Sequence, residues 1–133
     1  MRPISAHTLA ARIGCVISLF LLLLAFWLPQ RSCKALVEDV LPHAQTAETA
    51  LKASDWPSVK RAVKSMSDSL HREGPQLRFF FHHQDVDELF TLTEEALQLS
   101  DMESDELMSC LIGVKKLVEH LNEIETPSLP NLF

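Results

Sequence analysis

The run from Ile13 to Gln30, IGCVISLFLLLLAFWLPQ, carries no charged side chain, and no other stretch limits the fold of the chain so severely. As a helix its 18 residues rise about 27 Å, close to the roughly 30 Å hydrocarbon core of a bilayer. Two readings fit: an uncleaved membrane anchor, or a secretory signal peptide with Arg2 and Arg12 as its basic start and cleavage after Ala35 in CKA. The run is at or beyond the length of a signal h-region, about 7 to 15 residues, and Trp27 near its end suits an interfacial position. The anchor reading is therefore favoured. Lipidation at Cys33 is not expected, because Gln30, Arg31 and Ser32 put polar groups where a lipoprotein signal has small or apolar ones.

Arg2, Arg12 and the amino terminus precede the run and Arg31 and Lys34 follow it, so the bias in positive charge is slight. It leans towards a cytoplasmic N-terminus, with the C-terminal domain outside a cytoplasmic membrane that the chain crosses once. The expected division is a tail, signal anchor and juxtamembrane segment over 1–35 and an acidic helical domain over 36–133. A chain of 133 residues has room for one small domain.

All 18 acidic residues lie beyond Val37, against eight basic ones, which leaves the domain near −10 and makes nucleic acid an unsuitable partner. The charge is polarised: Lys52 to Arg78 holds six bases and three acids, and Asp85 to Glu106 holds nine acids and no base. Such segments read as solvated faces whose opposite signs help neighbouring antiparallel helices to pair, or as an acidic docking surface. Of three cysteines, Cys15 falls in the apolar run, Cys33 beside it, and Cys110 in a helical stripe, where it reads as a small buried hydrophobe. No disulfide framework is evident, although Cys33 could cross-link two copies.

Helical spacing dominates beyond the anchor. Leu36, Val37, Val40, Leu41, Ala44, Ala47 and Leu51 recur at three and four residues, with Pro42 expected to kink that helix or move its start. ASDWP opens a second helix, with Ser54 or Asp55 as cap, Pro57 in the first turn, and Trp56, Val59, Val63, Met66 and Leu70 on its apolar face. EGP at Glu73 to Pro75 is expected to stop or kink it, with a short helical segment resuming after it. A third helix starts at Gln84 or Asp85 and runs to about Ser100. A fourth carries Leu107, Cys110, Leu111, Val114, Leu117, Val118, Leu121 and Ile124 and ends before ETPSLPNLF. The fold class is all-α: a transmembrane helix followed by an antiparallel bundle of three or four helices.

From the anchor through SDWPSVKRAVKSM, FFFHHQDVDEL and the closing SLPNLF, the chain resembles a family of short single-pass membrane proteins of unknown function from Gram-positive, clostridial-type bacteria. The resemblance implies an apolar anchor before an acidic helical domain, with an acid-Trp helix start, a Phe/His/Asp junction and an Asn-aliphatic ending. It puts Trp56, Phe81, His83, Asp87 and Asn131 on that pattern, and it implies a fold without an activity. Gly74-Pro75 departs from the pattern, where a continuous helix is usual. One helix also resembles a tetratricopeptide-type repeat, but no second copy occurs.

Two chemistries compete for FFFHHQDVDELF, residues 79–90. His82 and His83 point about 100° apart on a helix and cannot easily share an ion. His83 and Asp87, four apart, could share one if His43 or His120 supplied a third ligand. An i,i+4 contact between His83 and Asp87, or capping by His83, needs no metal and is the favoured reading, with Asp85 accepting backbone N–H bonds at the helix start. Phe79, Phe80 and Phe81 cannot all face one core; packing on the second and fourth helices is the favoured role, with one of them a candidate partner or headgroup contact. No GxGxxG, GxSxG or P-loop occurs and no nucleophile or paired-acid signature is readable, so neither an enzyme nor a cofactor is expected. The expected role is a membrane-tethered extracytoplasmic interaction module with an unidentified protein partner, or a self-associating one. The alternative is a sensor of a cation or small ligand using His82, His83, Asp85 and Asp87.

Overall fold

The structure, a computed structural model, describes residues 6–125. Helix α1 (Ala6–Ala35) passes without interruption into a π-helical turn (Leu36–Val40) and then α2 (Leu41–Lys52). Three further helices follow: α3 (Trp56–Phe80), α4 (His83–Asp101) and α5 (Leu107–Glu125). The described residues are helical with short turns and contain no strand, as the spacing of apolar residues implies. Asn131 and the two prolines of the closing segment lie outside the described residues.

The two parts of α1 differ in environment. From Leu9 to Leu28 its large apolar side chains, Leu24 apart, are exposed, and this segment is long and apolar enough to cross a membrane. From Ser32 onwards the same helix joins a core: Cys33, Leu36, Val40, Ala44, Ala47 and Leu51 are buried at spacings of three and four. The buried stripe runs straight through residue 36, so that Ser32 and Cys33 share the core with the helix beyond it.

The helix does not restart or break at Pro42. Proline has no N–H to offer the carbonyl of Glu38, and its ring crowds that carbonyl. The turn before it widens to the π form, in which the Leu41 N–H bonds to the Leu36 carbonyl, and the chain continues.

With α2, the helices α3, α4 and α5 form a closed up-down-up-down bundle: α2 packs on α3 and α5, α3 on α4, and α4 on α5. Met66, Leu70, Leu77, Leu89, Leu107, Leu111 and Leu121 fill the interior. Ala44, Ala47, Ala62 and Ala96 let the backbones approach closely. The buried hydroxyls of Thr93 and Ser100 are satisfied locally by the carbonyls of Leu89 and Leu97, both at 2.8 Å. Half-buried Trp56 starts α3, whose cap is Asp55, accepting the Ser58 N–H at 3.3 Å. The Ser58 hydroxyl, and after it that backbone bond, hold the Asp55 carboxyl below its ordinary range.

Gly74 and Pro75 do not end α3, contrary to the expected stop and short separate segment. The apolar stripe Val63, Met66, Leu70, Gly74, Leu77, Phe81 keeps its three-four spacing, with Gly74 itself a buried member. A Cβ at 74 would run into the Phe90 ring of α4, so the glycine is a notch for that ring. His71 meets the same ring edge-on at 5.3 Å between centroids, and the Arg78 guanidinium lies over it at 5.4 Å. Tertiary contact around Phe90 holds α3 together across a step whose local cost is about 1 kcal/mol for the glycine and about 3 kcal/mol for the proline.

Candidate functional site

The stretch 79–90 forms the turn between α3 and α4. Helix α3 ends at Phe80 because Phe81 is extended (φ −114°, ψ 161°), turning its ring into the core, where it is 8% exposed. Phe80 is half-buried against that core, and Phe79 is 85% exposed. The three phenylalanines therefore separate into a core residue, a flank and a free face.

The helix start differs from expectation. α4 begins at His83, and its cap is His82, whose Nδ1 accepts the Gln84 N–H at 3.4 Å while its carbonyl accepts from Asp85 at 3.1 Å. Asp85 sits in the first turn, where a carboxylate favours the positive end of the helix dipole, but the capping acceptor is the histidine. Asp87 pairs with Arg78 of α3 at 3.3 Å instead of with His83, because the helices lie side by side there and a guanidinium is within reach. His82 and His83 are both exposed. Among the described residues no three His, Cys, Asp or Glu side chains converge as a metal would need; His43 lies half-buried on α2 and His120 exposed on α5.

The opposite charges of the two halves meet at helix contacts. Lys60 binds Glu103 at 2.9 Å near one end of the α3–α4 pair and Arg78 binds Asp87 at the other. Arg72 reaches Asp39 of the π-helical turn at 3.4 Å. Between α2 and α5, Glu48 receives Lys115 at 2.7 Å and Lys52 at 2.7 Å, which together hold its carboxyl down at about 2. The remaining acids of α4, including Glu88, Glu94 and Glu95, stay on an exposed face. Burial pushes the Cys110 thiol up, with the Glu95 carboxylate adding to the effect, so it packs as an inert hydrophobe. No disulfide joins the cysteines, and the buried Cys33 thiol lies 3.4 Å from the Leu121 carbonyl, tying α1 to the last turns of α5.

The turn at 79–83 faces the end of the apolar run of α1. Leu28, Arg31 and Ser32 line the same groove as Phe79 and Phe80. On the adjoining surface the Arg31 guanidinium covers the Trp27 ring at 5.2 Å. Sequence spacing does not disclose this juxtaposition, which depends on α3 continuing through Gly74. The stripe that includes Gly74 was the available signal.

Residues 28–132 match the family described as domain of unknown function DUF4363, so the chain belongs to that family. No curated protein and no solved structure matches it.

Proposed function

We propose that this member of the DUF4363 family is a membrane-tethered interaction module, with α1 crossing the cytoplasmic membrane once and the bundle standing on the extracytoplasmic side, where it acts by contact with another protein. The observation that carries this reading is the change of environment along one unbroken helix. Apolar side chains that would be costly in water lead directly into a fully packed core. The exposed acidic face of α4 supports a protein partner, since its charge is not consumed by the pairs to Lys60 and Arg78.

Two experiments test this. Alkaline phosphatase fused to the C-terminus is active only outside the cytoplasm, so an inactive fusion in intact cells reverses the orientation. A photoreactive phenylalanine analogue in place of Thr91 or Met102, both exposed, is expected to give a discrete adduct in native membranes; no adduct from either position rejects the contact role.

A further inference from the structure

We infer that the end of the bundle nearest α1's apolar run is itself a membrane-docking surface, with the Phe79 and Ile124 side chains seated in the lipid interface. This inference goes beyond the contact role and rests only on α1 being inserted.

The helices differ in reach. The π-helical turn and α2 comprise 5 and 12 residues and rise about 25 Å from Leu36 to Lys52. α3 starts beside Lys52 after a connection of three residues and returns over 25 residues, about 37 Å. It therefore overshoots Leu36 by about 12 Å, the rise of about eight residues, which corresponds to Leu28 on α1. The groove shared by Leu28, Phe79 and Phe80 agrees with that level. Leu28 lies inside the charge-free run, so the end of α3 sits where hydrocarbon gives way to headgroups.

α5 reaches the same level independently. Its Leu121 carbonyl is in contact with Cys33, and Ile124 is one turn further towards the span. Beyond α1, the described residues contain four large hydrophobic side chains that are well exposed: Phe79, Met102, Ile112 and Ile124. Phe79 at 85% and Ile124 at 54% both stand at this end. Trp27, with Arg31 over its ring, completes the belt of aromatic and cationic groups that marks a membrane boundary. A bilayer covers all these groups at once, because each lies at the depth at which α1 leaves the hydrocarbon.

The test uses the full chain in phosphatidylcholine nanodiscs, with a single fluorinated phenylalanine placed in separate samples at Phe79, Met102 and Phe20. A phosphatidylcholine bearing a nitroxide near the head of its acyl chain is expected to remove most of the fluorine signal at 79 and none at 102. A water-soluble gadolinium chelate is expected to do the reverse. Loss of the signal at 79 to the chelate alone overturns the inference by putting the ring in water. Insensitivity to both agents overturns it by showing a protein cover, a second copy or another partner. Phe20, exposed within the apolar run, separates the two premises. A signal at Phe20 that responds to lipid while that at Phe79 does not leaves the anchor standing and rejects the docking surface, whereas Phe20 in water rejects both.

Discussion

At the end of the bundle farthest from the apolar run, α2 and α4 each stop in a left-handed residue, Ser54 at φ 55° and Glu103 at φ 54°. In both turns the next N–H returns to a carbonyl five residues back, Asp55 to Ala50 at 2.9 Å and Ser104 to Leu99 at 3.0 Å, as in the Schellman motif. At the other end α3 runs on to Phe80, reverses through extended Phe81 and His82, and leaves Phe79 bare. The first end ties its backbone off in water and adds the ion pair of Lys60 with Glu103. The second presents apolar side chains beside the apolar run. The two ends are thus finished differently, and at the second α3 runs past the point where the local sequence argues for stopping.

The largest effect expected on this contrast removes the apolar side altogether. Leu22→Arg with Leu23→Arg should abolish recovery of the chain with membranes after carbonate extraction, each arginine costing roughly 2.5 to 3.5 kcal/mol at a span centre. Wild-type protein recovered soluble would break the comparison at its root.

Next, Gly74→Val should destabilise the chain by about 1 to 3 kcal/mol in denaturant melts in detergent, through collision with Phe90. The same change made on Phe90→Ala should cost less, the two sites being directly coupled. Equal costs in the two backgrounds would mean that the notch does not govern how far α3 extends.

At the water-facing end, Ser54→Gly should raise stability by about 1 kcal/mol, since glycine adopts the left-handed conformation without the Cβ penalty. At the other end, His82→Ala should cost about 0.5 kcal/mol through loss of a long capping bond, and His83→Ala no more than about 0.2 kcal/mol. Neither Zn²⁺ nor EDTA should move the melt; a zinc-dependent rise lost in His83→Ala would restore the metal reading.

The smallest effect appears only in acid. Because pairing with Lys115 and Lys52 lowers the folded pKa of Glu48 from 4.5 to about 2, the associated stability is complete above the ordinary value. It is lost as the pH falls from there through about 2. Glu48→Gln should flatten that part of the stability profile; an unchanged profile would assign the acid sensitivity to other carboxylates.

Much of this was legible in the sequence, for identifiable reasons. Three-four spacing marks α2, α3, α4 and α5, and the Asp55-Trp56-Pro57 start of α3 follows from capping and proline geometry. The continuity of α1 with α2 and the passage of α3 through Gly74-Pro75 were masked by breakers whose local penalties are overridden by packing. In both places an unbroken stripe, Cys33 to Leu51 and Val63 to Phe81, was the better guide. The choice of His82 over Asp85 as cap, and of Arg78 over His83 as the partner of Asp87, depends on how the chain turns at Phe81 and how α3 lies beside α4. Neither is a matter of spacing along one helix.

The unbroken helix from 6 to 52 has a mechanical consequence. A flexible linker would let a tethered domain sweep a volume and meet partners at a distance, but here a stiff rod enters the bundle as one of its own staves. The bundle cannot swivel independently of α1. Its working height is that of α2 and the π-helical turn, about 25 Å above Leu36. On the proposed tethering, whatever it engages must come within about 37 Å of the level of Leu28, and any rotation or vertical displacement of α1 is transmitted to the acidic face, with Pro29 and the π-helical turn before Pro42 as the irregular positions in the shaft.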